Sequence, residues 1–554
     1  MMIRSRRFLI PHRTLINLLS VLAVSIVAYP AGAQEVPLPV PHEIALPSER
    51  ELLKNLFAQM SAAGDEQASK LRALDAALVK LPYPTKLRGF VQFFRAQILI
   101  SNSEEPQAMA AINESIRLLP NYSAPLIVAS NIYTFSGEAG LGADFLLRAC
   151  QIDPASVRRI QDYEINALIG RLESNRDRRR VGLLSDRLLQ IGWIGEEIGS
   201  SSALATHAIK WQLDAGNLPA ARALVHKLIL PLHSRSLLVD KAYQQIWPEI
   251  EKAFGPKQER QWAIYLDEAR KRWTASNHDA STQEYVSALI MAGHQDTLIR
   301  SVLPMFEKVA ADDQFRLVFV VAPLAGALAH KDRWDEVDKL FDRAEKTWPL
   351  GSDANALNVT ANRAKYLLHA GRPAEALAEI NLAIADALTW KTEVGSSPLA
   401  SMHFHKACAL HELGRTAQAQ DSIAIAINHS PVLAARLHLC LDDLGAARQA
   451  LINGLKAPTE REHVIDFLQI SEGGVYASAF SRRSQTRWQA LQQDPQLRAE
   501  TSKYGRVLPY RMADGAPAEK TEAELLFETT PKADERSVPM SRLNRSKRSD
   551  ASSV

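Results

Sequence analysis

The sequence predicts an all-α fold, a superhelical array of antiparallel helix pairs, and three observations support this prediction. A stretch of sequence that closes at Pro120 is followed 34 residues later by a similar stretch that closes at Pro154. Small residues recur at matching places in both stretches, with large apolar residues between them. No stretch of the sequence shows the sustained alternation of apolar and polar residues that is typical of strands. Repeats of this length are typical of stacked helical hairpins.

The two stretches have the same internal order. Each contains a first amphipathic helix, a polar turn, a second helix and a closing proline, which blocks continuation of the helix. The residues that match between the two units are Ala96 and Ser130, Leu99 and Tyr133, Ala108 and Gly142, Ile112 and Leu146, and Ser115 and Ala149. Because two helices approach closely only where a small residue on one faces a large residue on the other, this phase predicts paired helices.

Similar units return further along the chain. Two of them keep small, turn and apolar residues in the same phase, at Ala364, Gly371, Ala376, Ile380 and Ala383, and at Ala407, Gly414, Ala419, Ile423, Ala426 and Pro431. Looser copies surround Gly216 and Ala325, and a shortened copy with Ala447 follows Pro431. A single hairpin cannot bury its own apolar face, so such units are expected to stack in an array.

These units resemble the tetratricopeptide repeat (TPR) family. They share its closing proline and its step from alanine to a bulky apolar residue in the second helix, as from Ala108 to Ile112. They lack its aromatic residue in the first helix, where Gln92, Leu126 and His403 stand. The resemblance implies a TPR-like α-solenoid whose first helices line a concave groove, and other helical-hairpin arrays are the alternative.

The resemblance also implies which residues line that groove. Matched to the family's first helices, the candidates are Phe90, Phe93, Gln97, Ile127, Asn131, Lys365, His369, Phe404, Cys408, His411 and Glu412. Some relatives hold the C-terminal carboxylate of a peptide with a lysine and an asparagine. Here Asn131 is present, but Phe93 and Ile127 stand where that lysine would be, so this clamp is not expected.

The first 33 residues have the features of an export signal. Four arginines precede a short apolar stretch, and small residues follow up to Ala33. We expect cleavage after Ala33 and a periplasmic or secreted protein. An uncleaved leader is the alternative, and contact with a membrane is expected only through such a leader, if at all. The apolar run at 317–329 is too short for a bilayer and contains a proline and a glycine, so it predicts a buried helix.

The organisation along the chain follows from the repeats and from composition. We expect a signal peptide, an extended Pro-rich lead-in, N-terminal repeats, divergent helical repeats, C-terminal repeats, a short helical cap and a disordered tail. Their predicted bounds are, in that order, 1–33, 34–47, 48–154, 155–300, 301–480, 481–514 and 515–554. Ser48 is expected to cap the first helix of the repeats, because acidic residues and an apolar run follow it.

The charge balance argues against a nucleic-acid partner. The chain of 554 residues has 65 Lys and Arg, 62 Asp and Glu, and a formal charge of +3. Loss of the first 33 residues, which hold four arginines and no acidic residue, would bring the formal charge to −1. Because nucleic-acid binding depends on neutralising many phosphates, no nucleic acid is expected as a partner.

The sequence contains none of the motifs that indicate a phosphate loop, a zinc helix, a CxxC pair or a nucleophile elbow. We therefore predict no catalytic residue, no metal and no cofactor. A stripe of His403, His405, Cys408 and His411 offers ligand types for Zn or Cu, but the same residues are expected on a first helix of the array. The alternative function is an exported enzyme, a glycan hydrolase or a metal-dependent one, on a helical scaffold.

The three cysteines allow at most one internal disulfide. Cys408 and Cys440 fall on the first helices of consecutive units, so a bridge between them is compatible with the geometry and is left open. Cys150 is expected to be a small buried residue.

The resemblance implies a biological class as well. Exported arrays of this type often serve envelope assembly, including the export of exopolysaccharide or cellulose. The expected function is a scaffold that binds a protein or peptide segment, or an exported polysaccharide, in its concave groove. A membrane-tethered signalling scaffold with an uncleaved leader is a third alternative.

Overall fold

The computed structural model describes residues 41–520, except 196, 277–278, 309–317, 353–355, 391–393, 471–475 and 477. The predicted signal peptide at 1–33, the first part of the lead-in and residues 521–554 of the predicted tail lie outside the described residues. The described residues from 41 to 517 belong to one compact unit, and the described residues 518–520 belong to a second.

The described part of the chain is helical and contains no strand, as the fold-class prediction required. The one β-type contact in these residues is an isolated antiparallel bridge between Asp240 and Gly505. The helices up to residue 254 are α1 Pro41–Ile44, α2 Arg50–Ala62, α3 Gln67–Val79, α4 Lys86–Ser101, α5 Glu105–Leu118, α6 Ser123–Phe135, α7 Ala139–Ile152, α8 Pro154–Val157, α9 Asp162–Ser174, α10 Arg178–Gln190, α11 Ile198–Asp214, α12 Leu218–Leu224, α13 Pro231–Val239 and α14 Trp247–Phe254. Those that follow are α15 Glu259–Ser276, α16 Asp279–Met291, α17 Gln295–Lys308, α18 Val318–His330, α19 Trp334–Thr347, α20 Ala356–His369, α21 Pro373–Ala387, α22 Ser396–Glu412, α23 Gln420–Ile427, α24 Pro431–Cys440, α25 Leu444–Lys456, α26 Arg461–Phe467, α27 Ala479–Gln493 and α28 Pro495–Tyr504.

The predicted 34-residue units are two helical hairpins, α4 with α5 and α6 with α7. The matched residues of both units are buried. Gly142 shows why the small residues are required. A Cβ atom there would lie 2.8 Å from the carbonyl oxygen of Ser130 and 2.7 Å from Oγ1 of Thr134, so only a residue without a side chain lets α7 approach α6 this closely.

The C-terminal half has the same construction. Helices α20, α22 and α24 are first helices that contact one another in succession, and α21, α23 and α25 are the second helices that pack behind them. Gly371 and Gly414 close the turns after α20 and α22 with φ angles of 80° and 70°, which glycine adopts without steric cost. The apolar run before residue 330 is the buried helix α18, as predicted.

The C-terminal segment does not simply extend the array. After α25, the chain returns to the middle of the molecule, where α26 packs on α13. Arg506 donates from Nε to the carbonyl oxygen of Leu238 at 2.7 Å and from Nη2 to Glu251 at 2.7 Å, and its guanidinium lies over the ring of Trp247. The region predicted as a cap at 481–514 therefore also ties the end of the array to its middle.

Two local predictions near the start of the repeats are wrong. The lead-in, predicted as extended up to residue 47, contains the short helix α1, and Ile44 at its end is buried with 2% exposure. Ser48 does not cap the following helix, because it lies within a 3₁₀ turn, Pro47–Glu49, and α2 begins at Arg50. In this turn the Glu49 carboxylate accepts from the Leu46 amide at 2.8 Å, so the turn provides its own polar contact.

The helices were also compared with the length and apolarity that a bilayer requires. Within the described ranges, no helix is long and apolar enough to cross a membrane.

Candidate functional site

The segment after α25, which returns to the middle of the molecule and contains α26, α27 and α28, is called the returning segment below. A cavity of about 620 Å³ lies between the first helices of the C-terminal half and this returning segment. Helices α20, α22 and α24 form one side of it, and α13, α26 and α27 form the other. Its apolar wall residues are Leu232, Met291, Leu368, Phe404, Leu439, Phe467, Ile470, Phe480, Trp488 and Met512. We call this space the central cavity. Its volume falls within the range of small-molecule and peptide-anchor sites.

The first helices can be aligned by the turn residues that follow them. Gly371, Gly414 and Asp442 each have a positive φ angle and stand six residues after Lys365, Cys408 and Arg436. Lys365, Cys408 and Arg436 therefore occupy one register position in α20, α22 and α24, and of these three Arg436 lines the cavity. The Arg436 guanidinium lies over the Phe404 ring, 5.0 Å from its centre.

Arg436 and Lys365 have no acidic partner. No carboxylate of the described residues forms an ion pair with either of them, and their recorded polar contacts are with the aromatic rings of Phe404 and Tyr366. The Arg436 side chain has accessible surface, but that surface faces the central cavity, which protein surrounds. Burial lowers the pKa of Arg436, and burial together with Arg436 lowers the pKa of Lys365.

Two histidines lie beside these cations. Burial, reinforced by Lys365 and Arg436, lowers the pKa of His369 to about 3. Burial also lowers the pKa of His405 well below its usual value, and Arg436, Lys365 and His369 act in the same direction. Both imidazoles are therefore neutral at pH 7, and Nδ1 of His369 has no hydrogen-bond partner among the described residues.

The opposite wall has one cation and one carboxylate that face each other. Arg235 on α13 lowers the pKa of Asp466 on α26, but burial has the larger effect, so the net pKa of Asp466 is raised. Since Asp466 is the one carboxylate among the described lining residues, the arrangement as a whole is cationic.

The structure brings two of the predicted groove residues, His369 and Phe404, to the cavity wall, with Lys365 next to His369 on α20. His411 and Glu412 lie further along α22. His411 Nε2 is 3.2 Å from Asp442, and Glu412 forms an ion pair with Arg483 of α27. Glu412 thus helps to hold the returning segment against the first helices.

The N-terminal groove candidates do not line this cavity. Phe90, Phe93 and Gln97 are each less than one tenth exposed, and the Phe57 ring of α2 lies edge-on to Phe90. Ile127 is half-buried against the core. Asn131 donates from Nδ2 to Glu164 on α9 at 2.5 Å. These residues make internal contacts in the structure.

The histidine and cysteine stripe is engaged in other contacts. Nδ1 of His403 lies 3.0 Å from Ser422, and His411 contacts Thr416 and Asp442. Cys408 and Cys440 form a disulfide with a Cα–Cα distance of 5.8 Å, which answers the question that the sequence left open. Among the described residues, no three His, Cys, Asp or Glu side chains are grouped as metal ligands would be.

Several wall residues were not predicted. Arg436 could have been found, because it stands at the register position of Lys365 and Cys408 in the shortened unit. Arg235, Phe480 and Trp488 belong to helices outside that register, and no repeat pattern connects them to the first helices of the C-terminal half.

No protein-family model matches the chain, and no curated protein matches its sequence. The crystal structure of yeast Tom70 is similar to 81% of this chain and to 99% of its own chain, with 13% sequence identity and a TM-score of 0.27. The functional argument therefore rests on the residues of this chain.

Proposed function

We propose that this protein is a non-enzymatic helical-repeat scaffold that binds a segment of a protein partner in the central cavity. The observation that supports this function best is that three consecutive first helices, α20, α22 and α24, each contribute side chains to one cavity. Stacked helical pairs commonly use such a face to bind extended partners. Large apolar walls with a few polar groups are typical of recognition sites.

We further propose that the protein is exported to the periplasm or secreted. The basic and apolar composition of residues 1–33 supports export. The pairing of Cys408 with Cys440 supports it independently, because disulfides persist mainly in oxidising compartments. A role in envelope assembly or polysaccharide export rests on the resemblance to exported TPR proteins and stays a prediction.

Affinity capture from envelope extracts tests the binding function, with the full chain as bait. Phe404→Ala and Arg436→Gln change the cavity wall. Arg415→Gln is the matched control, because Arg415 is exposed and contacts Gln418 instead of the cavity. We expect the wild type and the control to recover the same partner protein. The cavity variants should recover at least about tenfold less of it, as loss of an interface anchor would. Equal recovery with all four baits would contradict the proposal.

A further inference from the structure

The charge of the central cavity is not balanced. Arg235 lies close enough to Asp466 to affect the pKa of its carboxyl, whereas no carboxylate of the described residues forms an ion pair with Arg436 or Lys365. The two cations are close enough that Arg436 influences Lys365, His369 and His405. The neutral histidines next to them supply no negative charge.

Such an arrangement is unfavourable for folding alone. Enclosed cations lose hydration, and without an anion nothing in their surroundings replaces it fully. The stacking of Arg436 on Phe404 offsets this desolvation cost only in part, because a cation–π contact contributes less free energy than the desolvation of a guanidinium costs. Because Arg436 keeps more than a third of its surface open toward the cavity, this cost is partial, and we expect neutral side chains of similar size to be moderately more stable at both positions. The cations are therefore better explained by a ligand than by the fold.

We propose that the central cavity binds an anionic group, a carboxylate or a phosphate, attached to an apolar body, with Arg436 as its counter-ion and with Lys365, which lies beside the cavity on α20, adding to the positive potential. This inference rests on the proposed function for the location of the site and specifies the chemistry of what enters it. The anion can belong to a partner protein or to a small amphiphile, because both offer the same chemistry.

The walls identify the apolar part of the ligand. Beyond the cations, the cavity is surrounded mainly by aliphatic and aromatic side chains, among them Phe404, Phe480 and Trp488. Ser484 and Gln485 on α27 and the imidazoles of His369 and His405 offer neutral polar atoms around the anionic group. A free inorganic anion would leave the apolar walls uncovered, so we expect the attached apolar body to contribute to affinity.

Isothermal titration calorimetry of the full chain with short-chain probes tests this chemistry. Octanoate and octyl phosphate carry the anion on an apolar chain, octanol has the chain without the charge, and acetate has the charge without the chain. We expect octanoate or octyl phosphate to bind one equivalent in the cavity, and octanol and acetate to bind at least about tenfold more weakly. The stronger of the two anions distinguishes a carboxylate site from a phosphate site.

Variants separate a binding role from a structural one. Arg436→Gln should weaken octanoate or octyl phosphate binding at least about tenfold, because it removes a charge-assisted contact. Lys365→Met should weaken the same binding by a smaller factor, because it removes a positive charge beside the cavity. The same variants should raise the melting temperature of the free protein, because they remove an uncompensated charge. Arg436→Lys should retain binding, and the exposed Arg415→Gln should change neither property.

The contrary results are distinct. Equal binding of octanoate and octanol, or unchanged anion affinity in both cavity variants, would overturn the inference. So would a lower melting temperature in both variants, since that would give the cations a structural role. Glu472 lies outside the described residues, so the variant Glu472→Gln is also measured. A tenfold gain in octanoate or octyl phosphate affinity in this variant would show that the chain's own carboxylate competes with the probe, and it would overturn the proposal. Because the probes need no partner, failed probe binding with successful partner capture would leave the proposed function intact.

Discussion

Lys210 and Glu462 are 252 residues apart in sequence and form an ion pair, with 2.5 Å between Nζ and Oε1. Lys210 lies on α11 in the middle of the chain, and Glu462 lies on α26 in the returning segment. Burial opposes ionisation of Glu462, but Lys210 lowers the pKa of its carboxyl below the usual value. Lys210 also lies over the ring of Tyr243, at 5.3 Å. The pair therefore connects α11 with α26, and α26 lines the central cavity with Asp466 and Phe467.

Replacement of Lys210 by methionine should loosen α26. The Lys210 side chain is 18% exposed and that of Glu462 is 41% exposed, so we discount the full value of a buried pair and expect a loss of about 1–3 kcal/mol. Hydrogen exchange of the α26 amides should then be roughly tenfold faster or more, as local opening becomes easier. The exposed pair of Lys331 and Asp296 gives the control, and Lys331→Met should change exchange little. Unchanged α26 exchange in Lys210→Met would show that the pair does not hold the segment.

Stability should fall as the pH decreases from neutral toward about 4, and His207 should contribute to this fall. Burial, with Lys210 and His233, lowers the pKa of His207 to about 4. Between the usual histidine value near 6.5 and this lower value, the unfolded chain binds a proton that the folded chain does not, so folding becomes less favourable as pH falls. In His207→Gln, the stability lost between pH 7 and pH 4 should be smaller by roughly 1–3 kcal/mol.

Urea unfolding at several pH values measures this difference for the wild type and for His207→Gln. His226 is exposed, so His226→Gln is the matched control. Identical pH profiles for the wild type and the His207 variant would contradict the assignment. Carboxyls with raised pKa values that do not contact His207, such as Asp186 and Glu284, act in the opposite direction in the same pH range, and the comparison between variants removes their contribution.

A methyl group at Gly182 should separate α10 from α11. A Cβ atom there would lie 2.1 Å from Cβ of Trp211, a distance that requires the helices to shift. We expect Gly182→Ala to reduce the free energy of unfolding by about 1–3 kcal/mol. Gly170 on α9 has no atom within 4 Å of such a Cβ, so Gly170→Ala should instead stabilise by about 0.4–1 kcal/mol. Chemical denaturation compares the two, and equal effects would contradict the packing described.

The disulfide should be detectable and stabilising. The intact protein should be 2 Da lighter than its reduced form, in agreement with one pair of bonded cysteines. The bridge closes a loop with a separation of 32 residues, for which chain entropy gives a stabilisation of about 3–4 kcal/mol. The double variant Cys408→Ala, Cys440→Ala should therefore melt at a lower temperature than the oxidised wild type, whereas Cys150→Ala should preserve the mass difference. A mass without that difference in freshly exported protein would contradict the pairing.

The sequence predicted the elements whose signals are local. The small residues of the hairpins recur in phase because each must fit against the next helix, and Ala96, Ser130, Ala407 and Ala447 are buried as that phase requires. The return of the chain through Glu462 and Arg506 left no such signal, because a contact across about 250 residues imposes no periodicity on either segment.

The candidate site was predictable only in part for the same reason. Matching to the family's first helices led to His369, Phe404 and Lys365, and Arg436 stands at the register position of Lys365 in the shortened unit. Phe90 and Phe93 shared the family's groove positions, but the sequence pattern did not show which helix would pack on them. In the structure, Phe57 of α2 lies against Phe90, and the core buries both candidates.

Site-specific photo-crosslinking in the producing cell tests the central claim most directly. A benzophenone side chain at Gln485 would project from α27 at the cavity wall, and one at Leu382 would stand on α21, where the natural side chain is 55% exposed. We predict a protein adduct at position 485 that disappears when Arg436→Gln is added, and no such adduct at position 382. An adduct of equal yield at both positions, or one at position 485 that persists with Arg436→Gln, would contradict binding in the central cavity.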